Sequence, residues 1–215
     1  YGLQGIGVKL GLDNMRRLLN ALPTPSKPPI TVHVAGTNGK GSVCAFTDAI
    51  ARAHGLKTGL FTSPHLVHFR ERIRVNGQTI PDTDLDYWLG RLRDLVADWD
   101  PHPSFFELTL AIAIAHFQEQ QIECLVLETG LGGRLDATNA HEPRDVSVLT
   151  PIHYDHTHIL GKTLRAIAIE KAGIFRSGVP IVSAPQPPEA ESALRDAAGA
   201  IDAPIAFIDA RYPGK

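Results

Sequence analysis

The chain has 215 residues, 43 % of them hydrophobic, with 21 basic against 23 acidic side chains and a formal charge of -2. That is enough apolar material for one domain, or one and a half, around a real core. Charges so balanced and interspersed leave no footprint for nucleic acid or for an anionic membrane surface, so the expected partner is a small molecule.

The opening "YGLQGIGVKLGLDNMRRLL" has neither the basic start and apolar centre of a signal peptide nor the length of a membrane span. The first residue is not methionine and the last segment, "DARYPGK", reads like the approach to another element, so a piece of a longer polypeptide is expected. Leu12, Met15, Arg16, Leu18, Leu19 and Leu22 space out a short amphipathic helix, ended by the proline-rich "PTPSKPP" of Pro23 to Pro29. Residues 1–29 thus read as a helix and linker ahead of a nucleotide-binding unit over 30–215. "ITVHVAG" is a buried strand, "SVCAFTDAIARAHG" a helix closed by Gly55, and "KTGLFTS" a second strand, which together make the unit of a parallel sheet. Helices follow near Asp82 to Val96 and in "FFELTLAIAIAHFQEQQ", then strands "IECLVLE" and "VSVLT". A helix around Leu164 to Ala172, a strand "VPIVSA", a helix near Glu189 to Ala198 and a last strand "PIAFID" complete the pattern. The layout is α/β, doubly wound, with a mostly parallel sheet. Cys44 and Cys124 are the only cysteines, each inside an apolar segment, which suits a reducing compartment such as the cytoplasm.

Chemistry first shows at "TVHVAGTNGKGSVCAF". A strand feeding glycines and then a helix sets backbone N–H groups and a positive helix end around an anion. Thr37, Asn38, Gly39, Lys40, Gly41 and Ser42 would form the cradle, Lys40 adding a point charge and Ser42 a hydroxyl for magnesium or a phosphate oxygen. Gly36 stands only three residues before Gly39, a departure from the usual G-x-x-x-x-G-K-[ST] spacing, so a tight turn with a surface lysine is the competing reading. Glu128 closes a buried strand ahead of a glycine-rich loop, where open α/β sheets put ligand-binding groups, and its carboxylate invites a metal. Ser63 ends a strand and reads either as a further oxygen donor or as a cap. Lys171 beside Glu170 looks like a solvated helix residue. His153, His156 and His158 suggest zinc, against which no cysteine stands nearby.

The segments "AGTNGKGS", "FTSPHL" with "ERIRVNG", "SFFELT", "ETGLGGRLDATN" and "YDHTHILG" with "EKAGIF" occur in this order. Together they resemble the amino-terminal ATPase domain of folylpolyglutamate synthases and dihydrofolate synthases, relatives of the Mur peptide ligases, from about Lys9 to about Ala184. The resemblance implies a sheet of the P-loop NTPase and Mur ligase central-domain type. It implies ATP as substrate and two magnesium ions, one on Ser63 and Glu128 and a second on His156 and Lys171. An ammonium repels magnesium, and the family's answer is a carbon-dioxide-derived carbamate on the lysine. Catalytic roles would fall to Lys40, Glu128, His156 and Lys171. The organic substrate, dihydropteroate or a folate, would meet "KLGL" of Lys9 to Leu12 through Gly11 and Leu12, "FFEL" through Phe105, Phe106 and Glu107, and "LDA" through Leu135, Asp136 and Ala137. The two phenylalanines are alternatively core. "PIHYDHTH" departs from the serine, glycine and aliphatic residue that relatives commonly show before the aspartate, leaving His153 and His158 without roles. The implied reaction makes an acyl phosphate that L-glutamate attacks, in a monomer whose carboxy-terminal domain is absent after Lys215. The rivals are a muramyl peptide ligase and a non-catalytic nucleotide-binding module.

Overall fold

The computed structural model describes residues 11–22 and 28–208. The described elements run α1 (Asp13–Ala21), β1 (Ile30–Ala35), α2 (Lys40–Ala53), β2 (Thr58–Phe61), a 3-10 turn (Phe69–Arg72), β3 (Ile73–Val75), β4 (Gln78–Thr79), α3 (Asp82–Val96) and α4 (Phe105–Glu119). They continue with β5 (Cys124–Glu128), a 3-10 turn (Ala137–Ala140), β6 (Val146–Leu149), α5 (Thr157–Leu160), α6 (Leu164–Ala172), β7 (Ile181–Ser183), α7 (Pro188–Gly199) and β8 (Ile205–Phe207).

All the strands join one 8-stranded sheet in the order β4-β3-β2-β5-β1-β6-β7-β8. From β2 to β8 every pairing is parallel; β3 and β4 add an antiparallel edge. The α/β, mostly parallel layout expected from the sequence is the one observed. Parallel strands covered on both faces must be apolar throughout, which is why "TGLF" and "CLVLE" are buried at every position. Alternation along β5 then divides the core: Leu125 and Leu127 join α1, α3 and α4, whereas Cys124 and Val126 face Cys44 of α2. A third cluster lies under α6 and α7. Cys44 and Cys124 are free, buried thiols.

Two features differ from the sequence reading. The β3–β4 hairpin was not anticipated, although Asn76 and Gly77 at its turn, with φ 49° and 77°, are the residue pair that a left-handed two-residue turn favours. And α1 is no appendage to a linker: Met15 and Leu18 are fully buried in the cluster with α3 and α4, and Asn14 Nδ2 donates to Pro101 O at 3.0 Å. Lys9 and Pro23 to Lys27 lie outside the described residues. Among the described residues, no helix is long and apolar enough to cross a membrane.

Candidate functional site

Strand order decides which loops meet. The neighbours β2, β5, β1 and β6 are parallel, so the residues at their carboxyl ends (Ser63, Glu128, Gly36 and Thr150) stand in a row along one edge of the sheet. Along that edge, Glu128 pairs with Val34 and Leu149 with Ala35.

The loop from β1 enters α2 through Gly39, whose φ of 82° is the left-handed conformation that glycine adopts without steric cost. Gly36 is pressed against β6: a Cβ there would collide with the Thr150 side chain and lie 2.9 Å from its carbonyl oxygen. Thr37 and Asn38 do not offer free amides, because both N–H groups donate to Pro151 O, at 3.0 and 3.4 Å. The amides left for an anion are those opening α2 at Lys40, Gly41 and Ser42, which have no helical acceptor. Lys40 leans back on the Thr37 carbonyl at 3.4 Å. His153 ties this loop down through its main chain, its N–H donating to Thr37 Oγ1 at 3.1 Å and its carbonyl accepting from the same hydroxyl at 3.2 Å.

Glu128 is buried and accepts the Ser63 N–H on Oε2 at 2.9 Å. Burial raises its pKa, opposed by that N–H, by Lys40 and by Arg72. Gly41 lies close enough that a Cβ there would be 3.6 Å from the carboxylate, so Glu128 faces the start of α2. A carboxylate and a hydroxyl beside the phosphate loop are hard oxygen donors of the sort magnesium takes. The residues present therefore fit such an ion.

Lys171 overturns its bland reading. It is only 3 % exposed, and its ammonium donates to Gly36 O at 2.7 Å. Burial, with Lys40 nearby, lowers its pKa to about 8. His156 stays outside: half-exposed at the head of α5 with φ 46°, its nearest acid is Asp155 at 3.6 Å. The His156 and His158 rings are 6.3 Å apart, and among the described residues no three histidine, cysteine or acidic side chains converge as a metal site. The zinc reading has no support.

The residues expected around the organic substrate gather on the other flank. Here α1 packs against α4 and the Ala137–Ala140 turn, with half-buried Gly11 and Leu12 at its start. Phe105 is 58 % exposed, whereas Phe106 packs edge-on to Phe61 at 5.7 Å between ring centroids. One phenylalanine is available and the other is largely core. The Glu107 carboxylate closes the start of α4: it accepts the Ser104 N–H at 2.7 Å while Ser104 Oγ accepts the Glu107 N–H at 3.2 Å. Asp136 is buried too, taking the Leu131 N–H at 2.7 Å on one oxygen and the Thr138 N–H and hydroxyl at 3.0 and 2.5 Å on the other. Desolvation raises its pKa against those bonds. His33 on β1 contacts the Thr138 hydroxyl at 2.8 Å, anchoring the turn from beneath. Leu135 is half-buried and Ala137 buried.

The loop bearing Asp136 is locked to α6. A Cβ on Gly133 would lie 2.7 Å from the Lys171 carbonyl oxygen, and one on Gly173 would collide with the Arg134 backbone. Arg134 N–H donates to Glu170 O at 2.8 Å, and its guanidinium pairs with the Glu170 carboxylate at 2.9 Å. Asn139 Nδ2 spans the Arg134 and Gly173 carbonyls, while buried Arg144 donates to Asn139 Oδ1 and to the Ile174 carbonyl, each at 2.7 Å. Sequence reasoning missed Asn139, Arg144 and Arg72. Asn139 and Arg72 stand inside quoted motifs, but Arg72 among Arg70, Glu71 and Arg74, and Arg144 beside Asp145, carry no local sign of burial. A groove of about 770 Å³ lined by Ile30, Trp88, Phe117 and Ile122 opens at the opposite end of β1 and β5, away from this edge.

No protein-family model matches the chain. It is 42 % identical over 210 residues to the dihydrofolate synthase/folylpolyglutamate synthase of Bacillus subtilis, covering 95 % of this chain and 49 % of that protein. Against a putative folylpolyglutamate synthase of Dictyostelium discoideum, identity is 40 % over 203 residues, 93 % of this chain and 32 % of the relative. The chain thus spans half or less of the length of these curated relatives. Among solved structures, E. coli FolC in complex with DHPP and ADP superposes with a TM-score of 0.84 at 37 % identity, over 96 % of this chain and 49 % of that one. An FPGS-AMPPCP-folate complex gives 0.83 at 35 %, over 91 % and 49 %. In sequence and in fold, this chain is placed with the amino-terminal half of the folylpolyglutamate synthase and dihydrofolate synthase family.

Proposed function

We propose that this chain is the nucleotide-binding half of an ATP-dependent ligase that joins L-glutamate to dihydropteroate or a folate. The observation that carries the reading is the meeting of Lys40, Glu128, Ser63 and Lys171 on one sheet edge, beside the flank formed by Phe105 and the Asp136 loop. Similarity to FolC with DHPP and ADP and to the AMPPCP-folate complex supports both ligand classes.

The substrate carboxylate attacks the γ-phosphorus of ATP, ADP leaves, and the amine of glutamate displaces phosphate from the acyl carbon. Such phosphoryl transfer asks little covalent chemistry of the protein; positioning and charge neutralisation dominate. Lys40 and the free amides of Lys40, Gly41 and Ser42 hold the phosphates. Glu128 and Ser63 would hold one magnesium, supplying positive charge to the transferring group; a second, on His156 and a carbamylated Lys171, would require His156 to turn inward from its half-exposed position and Lys171 to leave the Gly36 carbonyl. For Lys171 the support is its burial and lowered pKa, which keep part of the amine neutral and able to add carbon dioxide. Asp136 organises the substrate loop from within, and Phe105 offers the exposed ring. The two buried thiols support a reducing compartment, the cytoplasm.

The test is phosphate release from ATP with magnesium and bicarbonate, giving dihydropteroate, tetrahydrofolate and L-glutamate singly and together, on this chain and on the full-length protein. Release that requires glutamate plus dihydropteroate identifies dihydrofolate synthesis; release with tetrahydrofolate adds polyglutamylation. No release from the full-length protein under any combination overturns the reading. Lys40→Ala is expected to abolish turnover, and activity within a few-fold of the parent would remove Lys40 from its role.

A further inference from the structure

Arg72 is the cation that the reading above leaves unemployed. Its side chain is nine-tenths buried, with 9 % exposure, yet among the described residues it forms no ion pair, and the hydrogen bond it makes is from Nε to His65 Nδ1 at 2.8 Å. A guanidinium carries five N–H donors in a planar fork and stays charged, so both terminal nitrogens remain ready for an anion. A buried arginine without a counter-ion is costly unless a ligand completes it.

Its surroundings say which ligand. Ile73 pairs with Phe61 across β2 and β3, and the Thr62 N–H donates to Arg72 O at 3.1 Å, which sets Arg72 alongside the Thr62–Ser63 end of β2. Glu128 acts on it electrostatically. The Phe105 ring lies 5.6 Å from its Cζ, and Phe69 meets Phe105 edge-on at 5.9 Å. The segment is held rigid, because the Glu71 carboxylate accepts the N–H groups of Leu66, Val67 and His68 at 2.8, 3.1 and 2.8 Å. A cationic fork thus sits between an exposed aromatic face and the groups that face the phosphate loop.

Resting on the folate-ligase reading, we infer that Arg72 binds the carboxylate that is to be phosphorylated, its aryl group lying toward Phe105 and His65 fixing the fork through Nε. This makes Arg72 a substrate-binding and specificity-determining residue for acids, separate from the nucleotide contacts.

The experiment measures binding of dihydropteroate, and of the same pteridine-aniline lacking its carboxylate, to the full-length protein and to its Arg72→Gln and Arg72→Lys variants, with thermal unfolding as the check on folding. The expected result is that the parent prefers the carboxylate ligand by about tenfold or more, the size of one charge-assisted contact. Arg72→Gln abolishes the preference and leaves ADP affinity within about twofold, while Arg72→Lys, which keeps the charge, retains part of the preference. A preference that survives in both variants, or an equal loss for both ligands, overturns the assignment alone. A parent that binds neither pteridine overturns the folate reading and the assignment with it. Should the glutamine variant fail to fold, the lysine variant decides: a preference reduced several-fold supports the assignment, and an undiminished one overturns it.

Discussion

Replacing Lys171 by methionine should make the protein more stable at neutral pH. Folding lowers the pKa of this amine from its ordinary 10.5 to about 8, and at about 1.4 kcal/mol per pH unit that difference amounts to about 3 kcal/mol. The sign follows from proton counting. Between pH 8 and 10.5 the unfolded chain holds the proton and the folded chain does not, so stability rises with pH across that window. Below pH 8 both states are protonated and the folded state bears the whole cost. Methionine, of similar length and without charge, removes it, so Lys171→Met should gain up to about 3 kcal/mol at pH 7 in urea unfolding, less what the Gly36 hydrogen bond contributes. The advantage should shrink to near zero by pH 10.5, with bicarbonate excluded so that the amine stays unmodified. A variant less stable than the parent by the same amount at every pH would refute the reasoning, because it would mean that Lys171 acts through packing and its bond to Gly36 rather than as a buried charge.

Gly36→Ala forces a methyl group into Thr150 at a positive φ, and it should cost about 2–4 kcal/mol and weaken ATP binding; a melting temperature within a degree of the parent would contradict the close packing of the loop on β6. Ser104→Ala removes one half of the capping box of α4, so a loss of about 1 kcal/mol is expected in chemical denaturation, and an unchanged midpoint would mean that Glu107 alone closes the helix. Arg144→Met removes the guanidinium bonds to the Ile174, Asn139 and His141 carbonyls and to Asn139 Oδ1, leaving the Ile174 carbonyl only Ser147 Oγ at 3.3 Å and the Asn139 carbonyl only Arg176 at 3.2 Å, which should destabilise by about 2 kcal/mol; a neutral result in urea titration would show that these second donors and water replace the guanidinium.

The parallel strands were legible because β-branched and apolar runs bounded by glycine or proline leave little else for them to be, and α3 and α6 begin and end where the sequence put them. The hairpin of β3 and β4 escaped because strands of three and two residues carry too short a pattern to register, even with Asn76-Gly77 between them. Lys171 could not be placed from its neighbours. Its helix is short, and which face it buries is decided by Gly36 and by the Gly133 loop, distant in sequence. The same holds for Thr37 and Asn38, whose amides looked free until Pro151 came to lie against them. Glu107 was read through its motif as a ligand contact, and the capping box that it forms with Ser104, three residues earlier, went unread. Lys40 and Glu128 were picked out from local chemistry and Ser63 only through the family resemblance, but their meeting depends on strand order, a long-range property that no window of sequence contains.

The glycines at 133 and 173 leave no side chain between the substrate loop and α6, so main chain rests on main chain. Nothing compressible separates the two, and Arg134 with Glu170 rivets the contact from outside. The loop that carries Asp136 and the helix that carries Lys171 are therefore in direct main-chain contact, and Lys171 in turn is bonded to Gly36 at the phosphate loop, so a side chain added at Gly133 or Gly173 has to part the two surfaces before it can be housed.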